Sequence, residues 1–167
     1  MKPIDFAALN EVVLKQEAAL QFEHFNSRDA WDLGKLIVEE IFSAGIEMTV
    51  CIRKLNGYVM FQYTTDKTAL NNQNWMTRKF NTVSVMERSS LGLAVTAQIT
   101  NEVVLTHGLD VNQYVFCGGG FPIKIKGSGI VAVVTVSNLP HVQDHNFLVR
   151  CLSKYLGVDV PEIDVEF

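Results

Sequence analysis

Cys117-Gly118-Gly119-Gly120-Phe121-Pro122-Ile123-Lys124-Ile125-Lys126, followed by Gly127-Ser128-Gly129 and then Ile130-Val131-Ala132-Val133-Val134-Thr135-Val136, is the stretch from which the architecture can be read. Two strand-like arms, Phe121 to Lys126 and Gly129 to Val136, meet across a glycine-serine-glycine turn, so this segment predicts a β-hairpin. The second arm is apolar on both faces and reads as a central strand. Three adjacent glycines precede the first arm and let the backbone approach another surface or a ligand closely. Ser137-Asn138-Leu139-Pro140 then leads into a helix, since proline is tolerated in a first helical turn and Val142, His145, Val149, Leu152 and Leu156 follow at steps of three and four.

Working outward, Asn56-Gly57 joins two more strand-like runs, Ile46 to Arg53 and Tyr58 to Thr64, in a second predicted hairpin. Leu20 to Phe25 reads as one further short strand. Helical spacing marks residues 5 to 19, the segment after Asn26-Ser27-Arg28-Asp29 up to Gly45, residues 70 to 87, and residues 91 to 100. Residues 101 to 117 read as mostly irregular. The tail from Val158 to Phe167 is acidic and contains Pro161, so it either crosses to a neighbouring subunit or frays. The pattern predicts an α+β chain: a five-stranded, mostly antiparallel sheet within a three-layer α/β/α sandwich, residues 1–167 forming a single domain.

Composition bounds the function. The chain has 167 residues, 48% of them hydrophobic and 19% charged, and a domain of this size buries roughly two-thirds of its unfolded surface without help from a metal or disulfide. Cys51, Cys117 and Cys151 are odd in number and widely spaced, which favours a reducing cytoplasmic setting over a disulfide framework. No basic-then-apolar leader and no membrane-length apolar run is visible, so membrane partnership is not expected. The net charge of −4 disfavours nucleic acid as a partner. The first 47 residues are predominantly acidic, whereas Lys67, Arg78, Lys79 and Arg88 form a basic island that is either a solvated helix face or the attractor of a small anionic ligand.

Several residues carry possible chemistry. Gly118, Gly119 and Gly120 either form a backbone nest for a carboxylate or phosphate, or a tight crossing that lets Phe121 enter the sheet. Arg78 and Lys79 are the best anion partners by charge, with Asn81 one turn from Arg78. Asp144 and His145 either line a pocket at a helix N-terminus, or His145 is a core histidine in the stripe with Val142 and Val149. Trp75 reads as core or interface rather than as a stacking platform. Cys117 is either an inert filler or a nucleophile with His145 as its base. His141 and His145 lie four apart but lack a hydrolytic glutamate, so no metal site is expected.

Asn74-Trp75-Met76-Thr77-Arg78-Lys79-Phe80-Asn81-Thr82-Val83, Arg88-Ser89-Ser90, Gly118-Gly119-Gly120-Phe121-Pro122 and Thr135-Val136-Ser137-Asn138-Leu139-Pro140 with Asp144-His145 together resemble the haem-degrading (GlcG/HbpS-like) domain family, in an uncharacterised UPF-type branch. Cys117 stands where that pattern leads one to expect a histidine, and Phe80 where one expects a second basic residue. The resemblance implies a profilin-like sandwich, homo-oligomers, and relatives that bind or degrade haem. By that resemblance haem is the candidate cofactor, with Arg78 and Lys79 holding propionates and Phe121 covering the ring. The leading expectation is a cytoplasmic small-molecule or anion binding domain using Arg78, Lys79, Asn81, Gly118, Gly119, Gly120, Phe121, Asp144 and His145. The alternatives are a non-enzymatic assembly module, with Trp75, Phe80 and the glycine loop at subunit contacts, and a cysteine-dependent hydrolase or redox enzyme.

Overall fold

Both hairpins form where the turn residues demand them. A computed structural model describes residues 3–167. In it β1 (Thr49–Lys54) and β2 (Val59–Thr64) pair antiparallel across Asn56-Gly57, with Gly57 at φ 87°. β3 (Gly120–Ile125) and β4 (Gly129–Ser137) pair across a turn in which Gly127 and Gly129 both take positive φ. The hairpins join through β1 and β4, also antiparallel, giving the order β2-β1-β4-β3. The apolar arm of the quoted stretch, β4, is therefore interior to the sheet, as its composition requires.

Alternation along the strands sorts two faces. Val50, Ile52, Phe121, Ile123, Ala132, Val134 and Val136 pack against α2 (Ser27–Ala44) and α5 (His141–Leu156). On the opposite face Val133 packs under Phe80 and Val83 of α3 (Leu70–Met86). Helices thus cover both faces. α1 (Phe6–Ala19) and α4 (Ser90–Thr100) form a second apolar cluster from Leu9, Val13, Leu91, Ala94 and Val95, which reaches Val142 of α5. The break between α3 and α4 is chemical: Glu87 turns left-handed at φ 55°, and the Ser89 hydroxyl caps α4 by accepting from the Gly92 N–H at 3.1 Å. Glu17 of α1 accepts from the Ser89 N–H at 2.9 Å, the Ser89 hydroxyl at 2.6 Å and Arg88 Nε at 3.2 Å, tying α1 to this corner.

Two expectations are corrected. The sheet has four strands, not five: of the predicted strand Leu20 to Phe25, Phe22 alone makes a bridge, parallel to Ile125. Its N–H donates to Lys124 at 2.7 Å, and its carbonyl accepts from Lys126 at 2.9 Å. α1 runs to Ala19 and the α2 cap falls at Asn26, so too little chain lies between them to extend the pairing; Glu23 and His24 stay in solvent. The tail neither crosses nor frays. Pro161 O accepts from Gln16 Nε2 at 2.6 Å, Asn146 bonds both the N–H and the carbonyl of Ile163, and Phe167 packs edge-on to Phe6. Acidic residues face outward while Ile163 is buried, so the tail closes the α1–α5 seam of its own chain.

Residues 101 to 117 hold one 3-10 turn, Val104–His107, and are otherwise irregular as expected. Among the described residues no helix is long and apolar enough to cross a membrane.

Candidate functional site

The three glycines are a crossing point. Their strip threads between α3, the start of α4 and the start of α5, and each position leaves no room for a side chain. A Cβ on Gly118 would run into the His141 carbonyl. One on Gly119 would lie 2.6 Å from Lys79 Nζ and 2.8 Å from the Val136 carbonyl, at φ 109°, and one on Gly120 would lie 3.0 Å from Val83. The N–H groups of Gly118 and Gly120 are already engaged, by His141 Nδ1 at 3.5 Å and Ser90 Oγ at 2.9 Å. The crossing reading is thus realised, and these two N–H groups do not point into an open nest.

Behind Gly119 lies an ion pair. Lys79 Nζ is 2.9 Å from Asp144 Oδ2 and donates to the Val136 carbonyl at 2.9 Å; both charged side chains are 2% exposed. Lys79 reaches this place because it lies one turn from Val83 on the inner face of α3, while Asp144 sits in the first turn of α5. Asp144 Oδ1 accepts from the Leu139 N–H at 3.0 Å. Burial pushes the Asp144 carboxyl above its ordinary value, opposed first by the Lys79 ammonium and then by the N–H groups of Leu139 and Asn138. The carboxylate therefore answers both the cation and the positive end of α5.

A cavity of about 260 Å³ opens over this pair, lined by Asn71, Asn72, Trp75, Lys79, Cys117, Ser137, Asn138, Leu139, His141 and Asp144. Asn72 Nδ2 donates to Ser137 Oγ and to Asn138 Oδ1, each at 3.3 Å, and Asn138 Nδ2 donates to the Glu47 carbonyl at 2.9 Å. These bonds hold Asn138 at φ 148°, a strained setting for a residue with a side chain. His141 donates from Nε2 to Phe167 O at 2.8 Å, so both its ring nitrogens are engaged. Burial raises the Cys117 thiol above its ordinary value, with Lys79 pulling the other way, so the thiolate is disfavoured.

The sequence-derived residues divide accordingly. Lys79, Asp144 and the glycine strip converge, as does Cys117. Arg78 and Asn81 do not: Arg78 Nη2 donates to the carbonyls of Val111 at 2.9 Å and Tyr114 at 3.4 Å, and Asn81 Nδ2 donates to Gln113 at 2.9 Å. Both fasten the irregular loop to α3. Neither Phe121 nor His145 lines the cavity: Phe121 enters the α2–α5 core, and His145 turns to Gln16 of α1. Phe121 is buried in that core and cannot cover a ring in the cavity. His145 is fully buried, donating from Nε2 to Gln16 Oε1 at 2.9 Å, with Nδ1 unpartnered; burial drives it from 6.5 down to about 3. It is a core histidine, turned from Cys117. Phe80 and the glycines are buried within their own chain rather than at its surface. Asn71, Asn72, Ser137, Asn138 and Leu139 were not singled out as site residues. Their signal was the polar Ser137-Asn138 pair at a strand-to-helix junction, legible as a turn but not as a cavity wall.

Residues 25–153 match the family model described as haem-degrading protein HbpS-like. A UPF0303 protein of Paraburkholderia phymatum is 35% identical over 161 residues, covering 96% of this chain and 97% of the relative. Another UPF0303 protein, from Yersinia enterocolitica, is 34% identical over 148 residues, 87% of either chain. Among solved structures the Ybr137w protein superposes with a TM-score of 0.82 at 24% identity, covering 89% of this chain and 87% of that one. A PduOC:heme complex superposes with a TM-score of 0.66 at 17% identity, covering 83% and 99%.

Proposed function

The chain belongs to the HbpS-like haem-degrading protein family, and we propose that within it this protein is a small-molecule binding domain whose ligand occupies the cavity over Lys79 and Asp144. One observation carries the reading. A buried ion pair is a poor way to stabilise a core, since apolar residues of similar volume do as well or better. Here the pair forms the floor of an open cavity, and Gly119 is cut back to make room for it. Charged groups held at such cost beside a cleft mark binding sites.

Haem is the ligand that the family name suggests, but the lining of this cavity does not fit it. The volume is about 260 Å³, below the roughly 300–1,000 Å³ of pockets that enclose drug-sized ligands. Trp75 and Leu139 are its main apolar walls. Of the basic groups intended for propionates, Lys79 is paired with Asp144, and Arg78 lies outside the lining with its Nη2 on main-chain carbonyls. A hydrogen-bonding molecule smaller than a tetrapyrrole suits the cavity. We place the protein in the cytoplasm as a homo-oligomer with the profilin-like sandwich its family implies. The exposed Trp31, Phe42 and Tyr58 beside the β2 edge are better contact candidates than Phe80.

The test is a thermal-shift screen of polar metabolites against the wild type and Asn71→Trp, which plugs the cavity mouth from an exposed position. Ligand at about 100 times its Kd adds roughly 2.7 kcal/mol of stability, so a rise in Tm seen only in the wild type is expected. Absence of any mouth-dependent rise overturns the reading. Haem titration should give no saturable Soret shift, and a shift lost in Lys79→Met would restore the tetrapyrrole.

A further inference from the structure

Resting on that binding function, we propose that the ligand is a small, uncharged heteroaromatic ring bearing a hydrogen-bond acceptor, seated against Trp75 with its acceptor on the Ser137 hydroxyl. Charge comes first. The formal charges lining the cavity are Lys79 and Asp144, which cancel at 2.9 Å, and Asp144 also answers the N-terminus of α5. Arg78, the nearest further cation, donates to the Val111 and Tyr114 carbonyls. An ionic ligand would give up hydration here and meet no unpaired counter-charge in the lining.

Shape comes second. Trp75 lines the cavity, and the Arg78 guanidinium lies over its indole at 4.8 Å from the centroid. Because Arg78 is itself anchored, the indole is clamped in place and its remaining surface is a rigid flat wall, the kind that stacks with aromatic rings.

Hydrogen-bonding capacity comes third. Asn72 donates both amide protons, to Ser137 Oγ and Asn138 Oδ1, and Asn138 donates one of its two to the Glu47 carbonyl. The Ser137 oxygen receives Asn72 but its own proton meets no acceptor, so it is available as a donor in the cavity that Trp75 also lines. Asn71, exposed at the mouth, offers a further donor and acceptor. A ring carrying a carboxamide or ring-carbonyl oxygen fits this set.

Nicotinamide and nicotinate separate the possibilities because they share a ring and differ in charge. The chain has two tryptophans, so in Trp31→Phe the indole fluorescence reports Trp75 alone. Nicotinamide should quench it saturably, and nicotinate should bind at least about tenfold more weakly. Ser137→Ala should weaken nicotinamide about fivefold, with an unaltered circular dichroism spectrum. Nicotinate binding as tightly as nicotinamide, or no saturable quench by nicotinamide, overturns the inference. If the metabolite screen still finds a mouth-dependent ligand of another class, the binding function stands without it; if that screen is also blank, both fail.

Discussion

Lys79 and Asp144 show how far a single buried contact constrains its neighbours. Lys79→Met leaves an unpartnered carboxylate in the interior and should cost about 3–5 kcal/mol in denaturant unfolding, whereas adding Asp144→Leu should recover most of that loss. The recovery separates the charge penalty from the packing. Gly119→Ala meets Lys79 and Val136 and is strained at φ 109°, so it should cost more than Gly127→Ala, whose Cβ would enter open space at φ 70° and whose penalty is about 1 kcal/mol. His145 gives a pH signature. Its folded value of about 3 lies below the ordinary 6.5, so the unfolded chain binds the extra proton and stability falls as pH drops from 6.5 toward 3, approaching about 1.4 kcal/mol per pH unit. Asp144, raised by burial, acts in the opposite sense above its ordinary 3.8. The His145 share is therefore read as the difference between wild type and His145→Leu, which should flatten the slope below pH 6.5.

Elements follow their local signals except where a neighbour intervenes. The α2 boundaries were legible because Asn26 accepts from the Arg28 and Asp29 N–H groups and Gly45 takes φ 63° at the other end, both local events. Asn26→Ala should accordingly cost about 1 kcal/mol in thermal unfolding. Glu17 differs in kind: its two partners, Arg88 and Ser89, lie on the far side of the sequence, and no spacing rule joins them. Glu17→Ala should lower stability by about 2–3 kcal/mol, more than the cap, because it leaves the buried Ser89 N–H and hydroxyl without this acceptor and removes the partner of Arg88. The strand expected at Leu20 to Phe25 shrank to Phe22 for the same reason in reverse. Its alternation was genuine, but a strand needs length along a partner, and the helices on either side take up the chain.

For the whole molecule, the tail is the clearest case of tertiary order without local pattern. Deleting residues 159–167 removes the Ile163 and Phe167 contacts with α1 and α5, and should lower Tm while raising amide exchange in both helices; unchanged exchange would show that the tail is not part of the core. Alternating apolar residues, Asn56-Gly57, Gly127-Ser128-Gly129 and the helix caps determined five helices on or beside two antiparallel hairpins, since each of those signals acts within a few residues. Which strands became neighbours, that Lys79 meets Asp144 while Arg78 turns to a loop, and that Phe121 and His145 leave the cavity to Trp75 and Ser137 were decided only on folding. Those outcomes depend on which side of an element each Cβ faces and what packs there, and residues separated by dozens of positions set them together.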